Sequence, residues 1–368
     1  MNKVRLGDIA DIITGPFGSM LHKSDYVIDG IPLIMPQDIG DRSVDFSAIA
    51  RISEADAIRL KKYEVIESDI VYSRRGDVEK HAFVKKEYGR MFCGTGCLRV
   101  RVNSKLANPL FVSFYLNRPE SKAWISKQAV GSNMSNINTE ILSDVLIELP
   151  DICIQEKISN VLNTIDEKIK NNRKINDNLE KQMRLLFENM MVKATSHMLE
   201  GNYVVAKDIA SIVTGKEDAN FSVSDGKYKF FTCSNTPLLC NNYVFDSSSI
   251  LIAGNGDFNV KHFSGKFNAY QRTYVLIPKK EYYALLYLAS LYMINSFKAS
   301  SSGSIVKFIT KGDIESIPIF IPNDISYLHK FNRFIYLQEQ NTLESEMLTE
   351  LRDWLLPMLM NGQATIND

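Results

Sequence analysis

The feature that most constrains this chain is an uninterrupted amphipathic stretch at 151–191, DICIQEKISNVLNTIDEKIKNNRKINDNLEKQMRLLFENMM. Ile158, Leu162, Ile165, Ile169, Asn172, Asn176, Leu179, Met183, Leu186 and Met190 follow one another at alternating spacings of four and three. That is a heptad seam, and no Gly or Pro interrupts it. At 1.5 Å per residue, about forty residues make a rod of roughly 60 Å. A single globule seldom needs such a rod; two separated modules do. Asn172 and Asn176 stand where leucine would be more stabilising. A polar seam position costs stability but selects register. The rod is therefore expected to pair in one register, the bland alternative being a solvated patch.

The stripe recurs near the C-terminus, in Phe334, Leu337, Asn341, Glu344, Leu348, Leu351, Leu355 and Met358. Leu162 and Phe334 are 172 positions apart, as are Leu186 and Met358. Pro357 is expected to kink the last turn. Each rod follows a strand-like run closed by proline, VLIELP at 145–150 and IPIFIP at 317–322. Further upstream, LGDIADIITG at 6–15 matches AKDIASIVTG at 206–215, 200 positions on. SDIVYSRRGD at 68–77 resembles SSILIAGNGD at 248–257, 180 positions on. The repeat keeps its framework and loses loop residues. The expected order is globule 1–150, rod and linker 151–200, globule 201–322, rod and tail 323–368.

Both globules read as mixed α/β units. In the first, 30–40 and 68–77 read as strands, 52–63 as a helix capped by Ser53, and 108–129 as a helix or broken helix pair. In the second, 281–300 reads as the helix, with Leu285, Leu288, Leu291, Tyr292 and Ile294 mostly buried. The same plan is expected in both.

Net charge is zero, which argues against a generic polyanion binder. The charge is partitioned: 201–322 carries 12 Lys+Arg against 9 Asp+Glu, and 323–368 carries 3 against 7. Slightly basic globules and an acidic second rod suit DNA on the former and protein on the latter. No run approaches the roughly 18 apolar residues of a membrane span. MNKVRLGDIADI has no secretory apolar core. Cys93, Cys97, Cys153, Cys233 and Cys240 lack CxxC spacing, so cytoplasmic thiols are expected and no metal site. There is no GxxxxGK[ST] loop and no GxGxxG after a strand. An amino-methyltransferase N-P-P-[YF] motif is absent too, although Asn108-Pro109 begins like one.

Taken together, these features resemble the DNA-specificity (S) subunit of type I restriction–modification systems, over nearly the whole chain. The resemblance is carried by LPDICIQEKISNVLNTIDEKIKNNRKINDNLEKQMRLLF at 149–187 and LRDWLLPMLMNGQATI at 351–366. TGPFGSMLHKSDY at 14–26 and GSIVKFITKGDIESIPIFIP at 303–322 add to it. The second junction departs from the pattern: QEKI at 155–158 has no counterpart in NDISYLHKFNRF at 323–334. The resemblance implies an α+β chain of two target-recognition domains, each followed by a long helix, the two helices packed as an antiparallel coiled coil. It implies a non-catalytic subunit that reads a bipartite site in double-stranded DNA. Two methyltransferase (M) subunits would use S-adenosylmethionine, and restriction (R) subunits would use ATP with Mg. No cofactor is expected in this chain, and no membrane.

Candidate DNA contacts lie in or beside the repeat loops: Arg74, Arg75, Ser132 and Asn133 in the first globule, Lys261, Arg272, Ser302 and Lys307 in the second. Phosphate contacts would position each globule and a few side chains would read base edges. The rival readings are an enzyme fusing specificity to catalysis, a coiled-coil adaptor without DNA binding, and the specificity subunit of a related site-cutting system.

Overall fold

The computed structural model describes residues 2–130, 135–256, 258–300 and 308–366. It divides into two compact units, Met1–Glu167 with Leu348–Asp368, and Lys168–Met347. The division cuts both long helices rather than setting them apart as separate segments.

Each unit opens identically. Strand Asn2–Arg5, a single helical turn Leu6–Ile9 and strand Ala10–Thr14 recur as Gly201–Val205, Ala206–Ile209 and Ala210–Thr214. The turn forms because an aspartate closes it: Asp8 accepts from the Arg5 N–H at 3.2 Å, and Asp208 from the Val205 N–H at 3.1 Å. The opening strand then pairs antiparallel with the strand that precedes the long helix. Val4 faces Ile147 in one unit and Val204 faces Ile319 in the other. Each globule thus closes on its own first and last strands.

Between those ends the units differ. The first holds two four-stranded sheets. One runs in the order Ala10–Thr14, Cys97–Val102, Ile70–Ser73, His81–Phe83; the other runs Ala50–Ile52, Tyr26–Ile34, Met91–Cys93, Glu64–Val65. The second holds one six-stranded sheet: Ala210–Thr214, Thr273–Pro278, Phe245–Ala253, Val260–Ala269, Tyr228–Phe231, Leu238–Cys240. The long strand Val260–Ala269 pairs on both sides, antiparallel to Phe245–Ala253 and parallel to Tyr228–Phe231. In the first unit two short strands divide that work. His81–Phe83 pairs with Ile70–Ser73, and Met91–Cys93 lies parallel to Tyr26–Ile34. A turn at Lys86–Tyr88, ending in Gly89 at φ +71°, separates them. The plan expected of both globules is thus kept in strand order and pairing, with one long strand in the second unit where the first has two short ones.

The local elements follow from their sequences. Ser53 accepts from the Asp56 N–H at 3.1 Å and starts helix Glu54–Arg59. The 108–129 segment is a broken pair, Pro109–Leu116 and Pro119–Gln128, because Pro119 can begin a helix but not continue one. Helix Tyr283–Ser300 buries Leu285 and Leu288, but Tyr292 is 57% exposed, against expectation.

The long helices are Ile152–Thr195, 44 residues, and Ser326–Met360, 35 residues with Pro357 inside. They run antiparallel. In the second unit Asn172 meets Asn341, Glu344 and Ser345, and Asn176 meets Gln338 and Thr342. In the first unit Arg352 donates to Asp166 at 3.0 Å. Along the first helix Ile158, Leu162, Ile165, Ile169, Asn172, Met183 and Met190 are buried, while Asn176, Leu179 and Leu186 are half-buried. Along the second, Phe331, Ile335, Gln338, Leu356 and Leu359 are buried. That stripe lies one position on from much of the expected one. Phe334, Leu337, Asn341, Leu348, Leu355 and Met358 are half-buried, and Leu351 is 43% exposed. Apolar doublets such as Phe334-Ile335 and Leu355-Leu356 satisfy either stripe, and packing selects between them. In the second unit, for instance, the Phe331 ring lies 6.2 Å from that of Phe187.

Each unit has its own core. Ile158, Leu162, Leu356 and Leu359 join Leu6, Ile70, Phe111 and Ile147 in the first. Met183, Phe187, Met190 and Ile335 join Ile250, Leu276 and Leu285 in the second. Each such side chain contributes about 1.5–3 kcal/mol on burial, so the helices are held by the globules as well as by each other.

Candidate nucleic-acid interface

In each unit the same four backbone segments are tied together at one end of the sheet. In the first, the Gly15 N–H donates to Cys97 O at 2.9 Å, Arg74 to Gly96 O at 2.8 Å, and Ile137 to Arg74 O at 3.0 Å. In the second, Gly215 donates to Thr273 O at 3.0 Å, Gly254 to Arg272 O at 2.8 Å, and Ile309 to Gly254 O at 3.1 Å. The paired positions are 200, 180, 176 and 172 residues apart, the same shrinking offset that the sequence repeat shows. The approach is close enough to require glycine. A Cβ on Gly15 would meet Gly94 O at 2.1 Å, and one on Gly215 would meet Ala269 O at 2.1 Å.

Arg74 and Arg75 follow strand Ile70–Ser73 at this end. Arg75 is exposed and makes no ion pair among the described residues; Arg74 is half-buried, and its Nε is shielded without a hydrogen-bond partner. Thr95 Oγ1 and Asn136 Oδ1, on the two segments bonded to this loop, are also buried and unpartnered among the described residues. Sequence reasoning missed both; the only signal was their position beside glycines and in the polar sequence GSNMSNINT at 131–139. In the second unit a cleft of about 480 Å³ is lined by Thr214, Gly254, Arg272, Tyr274, Phe308 and Lys311. Arg272 is exposed there without an ion pair among the described residues.

Lys261 is placed differently. Its Nζ donates to Ser234 O at 2.7 Å, Thr232 O at 3.3 Å and Asn259 Oδ1. Its three donors are spent on the chain's own loop, and burial pushes its pKa down to about 8. It clamps the loop rather than reaching out. Ser132, Asn133, Ser302 and Lys307 lie outside the described residues.

Away from these loops, Arg42 is buried in the first unit. It stacks on Phe114 with 3.4 Å to the ring centroid, and donates to Ser113 Oγ at 3.0 Å and Asp166 at 2.5 Å. Burial outweighs Asp166 and lowers its pKa to about 10. His81 donates to or accepts from the same Ser113 hydroxyl at 3.0 Å and is held neutral by burial, down to about 3. All five cysteines are free; burial raises the Cys93 thiol to about 12, so it is inert. Among the described residues no cluster of His, Cys, Asp or Glu could hold a metal, and no helix is long and apolar enough to cross a membrane.

Each of the two α/β units thus carries the same backbone-bonded loop cluster at one end of its sheet, so the chain is built twice on one plan. The family described as type I restriction modification DNA specificity domain matches residues 1–181 and 202–345, and the chain belongs to it. The chain is 34% identical over 165 residues to the type I restriction enzyme EcoDI specificity subunit of Escherichia coli, 43% of this chain and 37% of that one. It thus spans about a third of that relative's length. It is 23% identical over 403 residues to a protein named for the type I restriction enzyme MjaX specificity subunit of Methanocaldococcus jannaschii, covering 98% and 93% of the two. The crystal structure of the type I restriction–modification system S subunit from M. genitalium shares the fold, with a TM-score of 0.63 at 19% identity over 97% of this chain and 95% of that one.

Proposed function

We propose that this chain is the specificity subunit of a type I restriction–modification complex, each unit reading one half of a bipartite double-stranded DNA site. The observation that carries this reading is the loop cluster made twice by equivalent backbone bonds, each with an arginine that has no ion pair among the described residues, in a chain of the DNA-specificity family. Phosphates would seat the units, and loop side chains would read base edges. The chain itself performs no chemistry. Two methyltransferase subunits would bind S-adenosylmethionine and modify adenine; restriction subunits would supply ATP- and Mg-dependent cleavage.

The test is co-expression of the full chain with its methyltransferase subunit, and mapping of methylated adenines by long-read sequencing. A two-part motif is expected. Exchanging residues 1–150 for those of a relative should change one part only; a change in both would sink independent reading. The assembly's DNA affinity should fall steeply with salt, as counterion release requires. Salt-independent or absent DNA binding would leave the adaptor reading standing instead.

A further inference from the structure

The two loop clusters are alike in backbone and exchanged in side chain. The bond from Arg74 N to Gly96 O in the first unit has its counterpart in the bond from Gly254 N to Arg272 O in the second, each 2.8 Å long. Arginine and glycine have changed ends. The donor end carries the arginine in one unit, and the acceptor end carries it in the other.

Sterics explain why only one end can carry it. A Cβ on Gly254 would meet Arg272 O at 2.7 Å and the Tyr274 ring at 2.9 Å, so the donor end of the second unit admits no side chain. Gly96 has φ +83°, a conformation that favours glycine, so the acceptor end of the first unit is closed to arginine. Each unit nonetheless places one arginine at this bond. In the first, the arginine comes with three shielded polar atoms that no group among the described residues satisfies: Arg74 Nε, Thr95 Oγ1 and Asn136 Oδ1. Buried polar groups are almost always partnered, so such a cluster implies something that comes to meet it. In the second, the arginine stands in the 480 Å³ cleft.

We propose that Arg74 and Arg272 are the specificity-determining arginines of their units, each taking a guanine in its own half of the site. The inference rests on the DNA-reading function proposed above. Arginine suits this place because its planar fork matches O6 and N7 of guanine in the major groove, whereas lysine offers only a point charge. A guanidinium rooted in a loop that several backbone bonds hold rigid is pre-oriented for such a contact. Arg75, exposed on the same loop, would serve a phosphate.

The experiment maps methylation by the co-expressed methyltransferase assembly carrying R74A, R74K, R272A, R272K or R75A. For R74A and R74K, one guanine position in one half of the motif should become degenerate, with discrimination there falling roughly 5- to 150-fold. For R272A and R272K, the same should happen at one position in the other half. R75A should weaken methylation without relaxing any position. Thermal unfolding of each assembly separates misfolding from misreading, and the lysine variants carry the test where an alanine variant does not fold. Arg74 or Arg272 variants that methylate the unchanged motif, weakly or fully, would overturn the inference, as would relaxation by both arginines' variants in the same half. If the wild-type assembly itself shows no two-part motif, the proposed function fails, and not merely this assignment.

Discussion

Asn341 donates from Nδ2 to Asn176 Oδ1 at 2.9 Å, across the seam between the two long helices. The bond is not isolated. Asn176 Nδ2 donates to Gln338 O at 3.2 Å and Thr342 Oγ1 at 3.1 Å, while Gln338 Nε2 donates to Asn176 O at 3.1 Å. A few residues away Asn172, 1% exposed, donates to Glu344 at 2.8 Å. The polar middle of the rod is a bonded patch, and a shift by one residue would break it.

Replacing Asn176 with Leu alone leaves the Asn341 side-chain amide without its Asn176 acceptor and is expected to cost about 1–3 kcal/mol. The double variant N176L/N341L should recover much of that loss, because both partners become apolar. A double-mutant cycle by denaturant unfolding checks it, and a coupling near zero would show the bond to be incidental.

Asp166 holds the buried Arg42 and also accepts from Arg352. Asp166→Ala leaves Arg42 a buried charge with no carboxylate hydrogen-bonded to it, at an expected cost of about 3–5 kcal/mol. Asp353→Ala, which removes an exposed partner of Arg352, should change stability by no more than about 0.5 kcal/mol. Equal effects from the two would refute the buried-pair account.

Gly254→Ala forces a methyl group against Arg272 O, and overpacking of this kind costs about 1–3 kcal/mol. Gly18→Ala, with nothing within 4 Å, should be close to neutral. Methylation mapping should show the Gly254 variant weakened through one half-site. A neutral outcome would mean that the loop yields and is no fixed platform.

Lys261 gives a pH test. Burial lowers its pKa to about 8 from the ordinary 10.5. The unfolded chain keeps this proton across that window while the folded chain releases it, so stability gains from Lys261 as pH rises from about 8 to 10.5. Below about 8 both states are protonated and the burial cost is constant. Wild type should therefore gain melting temperature relative to K261M between pH 8 and 10. A constant difference across that range would place the lysine in solvent.

Periodicity and self-similarity in the sequence determined the globule–rod repeat, the two long helices and the first helix's seam. These depend on local spacing, and a heptad stripe or a recurring LGDIADIITG needs no tertiary partner to be recognised. Arg74 and Arg272 could be picked out because they stand in or beside repeat loops. Only the tertiary structure decided the rest. Doublets such as Leu355-Leu356 fit two stripes, and the core chose the second member. Lys261 looked like a free cation until the loop carbonyls around it were placed. Val260–Ala269 became one strand where the first globule uses two, because pairing on both sides rewards continuity. The exchange of arginine and glycine across one hydrogen bond joins residues 22 positions apart in one unit and 18 in the other. No local spacing marks that relation; it exists only where the folded backbone brings the two ends of the bond together.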